Sequence, residues 1–238
     1  MRKKFFACFA AALMSVTLTA GVSFAKTIEG PDGNVEIELP DDFYTMYIDD
    51  SENNELTNHL DITYDTVKSY MEENDIYVDG VNEDGSIEIY AVISNLGQDY
   101  GSMSDYPDDT LDDFLEGHKK SLEERKCTNI TTERLDDNFY MITYDAKNDI
   151  DTYHVISYST FSGEYIYTLN VQYTNIEDYE TAKAYLDKTK DTLKAPQAEK
   201  RSGFISPAKW KIQWLIISLT AVMIIAAAIV IIASRKKN

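Results

Sequence analysis

The chain has 238 residues, of which 41 are Asp or Glu and 22 are Lys or Arg, for a formal net charge of −19. The charge is uneven: residues 26–195 hold 40 acids and 12 bases, a net of −28, whereas residues 196–211 carry +3. So acidic a body excludes nucleic-acid binding, which needs a basic footprint, and excludes a body lying flat on anionic lipid; the chain's 17 Tyr and 9 Phe, regularly spaced, exclude global disorder.

Arg2-Lys3-Lys4, an apolar run from Phe5 to Ala20 and then Ser23-Phe24-Ala25 have the layout of a secretory signal peptide over residues 1–25. The alternative is an uncleaved signal anchor. Cys8 leaves with the signal peptide, so Cys127 stands alone and makes no internal disulfide. It is expected buried at a helix end.

After the turn signal Pro31-Asp32-Gly33-Asn34, Val35, Ile37 and Leu39 alternate with Glu36 and Glu38, the pattern of a half-buried strand. Pro40-Asp41-Asp42 predicts a hairpin into the run 43–48, followed by a polar loop over 49–59. A helix is expected over 63–74, with Tyr64, Val67, Tyr70 and Met71 on one face. Ile76-Tyr77-Val78, the Asp84-Gly85 turn and the strand 86–94 read as a second hairpin. Leu111, Phe114, Leu115, His118 and Leu122 mark the next helix, with Thr110 and Asp113 as a capping box. Strands over 138–145, 152–160 and 164–173 follow, the last two joined at Ser162-Gly163. Asn175 caps a final helix with the stripe Tyr179, Ala182, Leu186 and Leu193.

Residues 196–211 read as a juxtamembrane linker. At about 3.6 Å per residue it reaches at most roughly 58 Å. Residues 212–233 contain no charge. As a helix they would span about 33 Å, enough for a hydrocarbon core of about 30 Å. Trp210 and Trp214 suit the interface, and Arg235-Lys236-Lys237 a cytoplasmic tail over 234–238. No Leu-Pro-x-Thr-Gly sorting motif precedes Trp210. The expectation is a single-pass membrane protein whose domain, residues 26–195, is extracytoplasmic.

Hairpin-linked strands with amphipathic helices give an α+β domain: an antiparallel β-sheet with helices packed on its faces, plus one C-terminal transmembrane helix. The alternating run 35–39 leading into Pro40, the Asp79-Gly80…Asp84-Gly85-Ser86 hairpin and the closing meander plus helix resemble the PsbP-like fold. They look like its signal-bearing, membrane-tethered versions in Gram-positive bacteria. The resemblance covers about residues 35–193 and rests on topology and hairpin placement, not on a signature motif. It implies helices on both faces of the sheet and, since members are mostly non-catalytic, an accessory or binding role. It carries over no site residue.

His-Glu-x-x-His, Gly-x-Ser-x-Gly, phosphate-cradling and Cys-x-x-Cys motifs are all missing from the sequence. His59 in a polar loop, His118 on a helix stripe and His154 on a strand share no ligand spacing. Two acidic clusters, Asp105/Asp108/Asp109/Asp112/Asp113 and Asp79/Asn82/Glu83/Asp84, are explained by a helix start and a hairpin tip as readily as by calcium. The Tyr-rich strands read as core packing or as an aromatic platform for glycan or peptide. No catalytic, cofactor-binding or metal residue is assigned. The functional expectation is a membrane-anchored, non-catalytic module that binds a protein or envelope component near the membrane. Its alternatives are an envelope hydrolase using carboxylates and a calcium-responsive surface domain.

Overall fold

A computed structural model describes residues 26–196, apart from residues 32, 53, 136–137 and 148–150. The expected signal peptide, most of the linker and the apolar run 212–233 lie outside these. Among the described residues no helix is long and apolar enough to cross a membrane.

Strands β1 (Lys26–Gly30) and β2 (Gly33–Ile37) form a separate two-stranded sheet. The other strands are β3 (Phe43–Tyr47), β4 (Ile76–Asn82), β5 (Ile87–Asn95), β6 (Thr128–Arg134), β7 (Tyr140–Lys147), β8 (Thr152–Ser162) and β9 (Tyr165–Tyr173). They make one seven-stranded sheet in the order β3-β4-β5-β9-β8-β7-β6, antiparallel throughout. Among the described residues four α-helices accompany them: α1 (Glu55–Leu60), α2 (Tyr64–Glu73), α3 (Asp108–Glu124) and α4 (Tyr179–Thr192).

The helices divide between the two faces of the large sheet, as the PsbP-like resemblance implied. On one face, Leu56 of α1, Val67, Tyr70 and Met71 of α2 and Leu111, Leu115 and Leu122 of α3 pack with Met46, Tyr90, Tyr140 and Ile142. On the other, Ala182 and Leu186 of α4 join Ile28, Val35 and Ile37 of the small hairpin against Ile89, Leu169 and Val171. Helix α4 buries Ala182, Leu186 and Thr189 at a spacing of four and then three residues, one stripe of a 3.6-residue period. Cys127 is buried just past the end of α3, as expected.

Several expectations change. Strands β2 and β3 do not pair with each other: Pro40-Asp41-Asp42 carries the chain to the large sheet, where Phe43 pairs with Asn82 of β4. Strand β2 instead folds back on β1, with Gly30 opposite Gly33. The expected loop 49–59 is helical from Glu55 onward, in α1, whose cap Asn54 accepts from Thr57 N–H at 3.0 Å. The three-strand meander has a fourth strand, β6. The capping box lies eight residues earlier than predicted, on Ser102 and Asp105 of the 3₁₀ turn Met103–Asp105, and Pro107 stands at the N-cap of α3 without a side-chain cap bond. Asn175 caps a short 3₁₀ turn that leads into α4. Tyr140, Tyr144, Tyr158, Tyr167 and Tyr173 are buried, so these tyrosines are core and not an exposed platform.

Leu186 is wholly buried between α4 and the sheet. Leu186→Ala is expected to cost about 2–5 kcal/mol in urea unfolding. A Cβ on Gly30 would lie 2.9 Å from the Gly33 carbonyl oxygen, so Gly30→Ala should cost about 1–3 kcal/mol through the strained hairpin. A neutral Gly30→Ala result would show that the small sheet is wrongly paired.

Candidate functional site

At one end of the large sheet the chain forms an open pocket of about 470 Å³, within the range of about 300–1,000 Å³ common for ligand sites. Its first wall follows from the β8–β9 turn. Gly163 takes φ 63 there, a conformation that glycine adopts without a Cβ clash. The preceding loop is stitched onto this turn: Tyr100 N–H donates to Gly163 O at 2.7 Å and Gly163 N–H donates to Gly101 O at 2.8 Å. Ser102 then bridges to Ser162.

The second wall is the extended strap 193–196 that follows α4. Glu36 N–H donates to Lys194 O at 3.2 Å, and Lys194 N–H donates to Glu36 O at 2.9 Å. Lys194 Nζ reaches Glu36 Oε2 at 2.5 Å, and Ser162 Oγ donates to Pro196 O at 2.6 Å. Phe161 is anchored against Tyr106, with ring centres 5.4 Å apart. Lys190 Nζ stands 5.4 Å from the centre of the Phe139 ring. The lining combines Ser102, Ser104, Asn138, Thr160 and Ser162 with Phe139, Phe161, Leu193, Lys194, Ala195 and Pro196. Among the described residues the lining includes no acid. Hydroxyls, an amide, an ammonium and aromatic rings can hold a polar, electron-rich ligand.

A polar row crosses β6 to β9 elsewhere on the sheet. Asp145 pairs in register with His154, and His154 with Tyr173. Asn129 sits at a bulge with φ 53 and donates its amide to Asp145 Oδ2 at 2.6 Å. The other carboxylate oxygen lies 2.6 Å from His154 Nδ1. An ionised carboxylate only accepts, so Nδ1 carries the proton and the ring is fixed in one orientation. General bases and metal-bound histidines are held in this way. Among the described residues, however, no group of three or more His, Cys, Asp or Glu converges to complete a metal site.

The third polar assembly is internal. Asp79 pairs with Tyr90 and Glu88 with Val81, which puts both acids on the face under α2. Gln172 Nε2 donates to Glu88 Oε2. Ser157 donates to Asn170 at 2.6 Å, and Ser159 and Thr168 share a hydrogen bond of 3.0 Å. Burial pushes Asp79 up to about 7, against hydrogen bonds from Glu88 and Gly80 that lower it. Burial first, and the Asp79 charge second, hold Glu88 well above the usual carboxylate range. Neither acid lines the pocket, which separates the perturbed carboxylates from the concave surface that a carboxylate hydrolase would need.

The histidines singled out from sequence go to separate places. His59 lies on α1, not in a loop, and stacks on Tyr44 at 3.8 Å. His118 lies on the buried face of α3; burial, and then Arg125, push it down to about 3, so it stays neutral. Asn82, Glu83 and Asp84 lie at the tip of the β4–β5 hairpin, as expected, whereas Asp79 is buried within the sheet. Sequence reasoning missed the Asp145–His154 contact, which only the β7–β8 register reveals. It missed the pocket because its lining comes from four distant stretches.

No protein-family model matches the chain, and no curated protein does. Solved structures do match. The chain is similar to the solution structure of cyanobacterial PsbP from Synechocystis sp. PCC 6803, with a TM-score of 0.40 and 11% identity, over 77% of this chain and 99% of that one. It is also similar to a crystal structure from Bacteroides thetaiotaomicron VPI-5482, with a TM-score of 0.39 and 11% identity, over 74% of this chain and 50% of that one. The chain therefore spans half the length of the second protein. At this similarity no site or role passes from either structure to the chain.

Removing the Ser162 hydroxyl tests how the strap is held. Ser162→Ala should cost about 1 kcal/mol locally and speed amide exchange at Lys194 about fivefold. Unchanged exchange would mean that the strap does not depend on this bond.

Proposed function

We propose that the protein is a membrane-anchored, extracytoplasmic, non-catalytic accessory module that binds an envelope component or protein close to the membrane. The observation that carries this reading is the pocket of about 470 Å³, whose described lining is built of hydroxyls, an amide, aromatic rings and the strap 193–196. It lies in a domain of net charge −28, and its wall is the segment by which the chain heads towards the apolar run 212–233. The described hydroxyls and amide of the lining favour ligand carbonyl and hydroxyl groups. The linker's positive charge suits anionic headgroups at about 1 kcal/mol per Lys or Arg, while the acidic body stands off.

Thr160→Arg places a long charged side chain in the pocket lining. The test is recovery of partners from membranes with the full chain and with this variant, after circular dichroism has shown that both are folded. A component enriched by the wild-type chain and reduced about tenfold by Thr160→Arg, a loss of about 1.4 kcal/mol, supports the reading. Equal recovery by both, or nothing above background in repeated trials, counts against it.

A further inference from the structure

Asp79 and Glu88 are the carboxylates buried to 6% and 4% exposure among the described residues. They sit on adjacent strands, within hydrogen-bonding reach of each other. Tyr70 faces them from α2, Tyr90 from β5 and Gln172 from β9. Tyr144 of β7 acts on Tyr90 from the far side, and β3 places apolar Met46 opposite Asp79. No positive charge among the described residues acts on either acid. Lys68 of α2 donates instead to Ile48 O and pairs with Glu72, and Arg125 acts on His118 and Tyr144.

Two touching carboxylates without a cation cannot both ionise cheaply in a dry interior. Solvation of the charged pair is incomplete as built. Asp79 Oδ1, Tyr90 OH and Gln172 Oε1 are buried and have no hydrogen-bond partner. An ionised pair therefore needs water, and water reaches it only if the cover moves. That cover is α2, which packs along β4 through Val67, Tyr70 and Met71.

We propose that Asp79 and Glu88 form a proton-operated latch beneath α2: with a proton bound the helix seats on the sheet, and when the proton leaves to solvent the seam between α2 and the sheet takes up water and opens. The pair holds more protons folded than unfolded, because both acids are raised. Its stabilisation is thus complete below the ordinary carboxylate range, about pH 4, and is lost as the pH rises through about 7. The general self-repulsion of the acidic domain has the same sign. Only a variant that removes the pair separates the two effects.

The experiment is hydrogen–deuterium exchange by mass spectrometry on the full chain in detergent micelles at pH 5 and pH 8, with rates corrected for intrinsic exchange. Wild-type protection of α2 should fall about tenfold or more between these values, while α4 on the opposite face changes less than about twofold. In the Asp79→Asn/Glu88→Gln double variant α2 should stay protected at both. Wild-type protection that ignores pH overturns the proposal, as does an equal loss in the double variant. Should the double variant lose its helical circular dichroism, Asp79→Asn alone decides. A flattened response of α2 supports the latch, and a wild-type response overturns it.

Discussion

The architecture depends on the central strands β5, β9 and β8 being covered on both faces. Such strands have no solvent side on which to leave polar atoms, so every polar side chain they carry must find a partner across the sheet or go without. The chain solves most of this with a cross-strand ladder: Ser157 with Asn170, Ser159 with Thr168, and Gln172 with Glu88. These bonds lock β5, β9 and β8 into one register, since a slip of one residue would turn the ladder into the apolar face. Where the ladder runs out, at Asp79 and Tyr90, unpartnered buried oxygens remain. The tension in the structure sits at that place.

Burial on both faces also sets what the ends of the sheet can do. With α1, α2 and α3 on one side and α4 with the small hairpin on the other, the concave polar surface emerges where strands stop. There the β8–β9 turn, the 3₁₀ turn at Met103 and the strap after α4 meet. In the proposed role this is a natural position for a ligand site, because the strap is also the route towards the linker.

Much of this fold was legible because local chemistry and final packing agree. Helices α2, α3 and α4 carry clear 3.6-residue stripes, and Asp84-Gly85 and Ser162-Gly163 have the residues that tight turns demand. The parts that were not legible depend on distant partners. Pro40-Asp41-Asp42 looks like the turn of a hairpin, yet β4, more than thirty residues on in the sequence, captures β3. Strand β6 has little apolar alternation because it is an edge strand held by β7 and α3. Helix α1 is too short to show a period. At the site level, Thr168, Asn170 and Gln172 alternate along β9 and so share one face, but the helices that cover them come from distant parts of the chain. Nothing in sequence brings residues 102–104, 138–139, 160–162 and 193–196 together.

Amide exchange resolved by nuclear magnetic resonance at a single mildly acidic pH tests the two-sided cover most directly. The account predicts that Tyr90, Ser157 and Asn170 exchange only through global unfolding, far more slowly than amides of β6 at the edge. Exchange at those central positions as fast as in β6 would contradict it, because strands sealed between two helical layers cannot open alone.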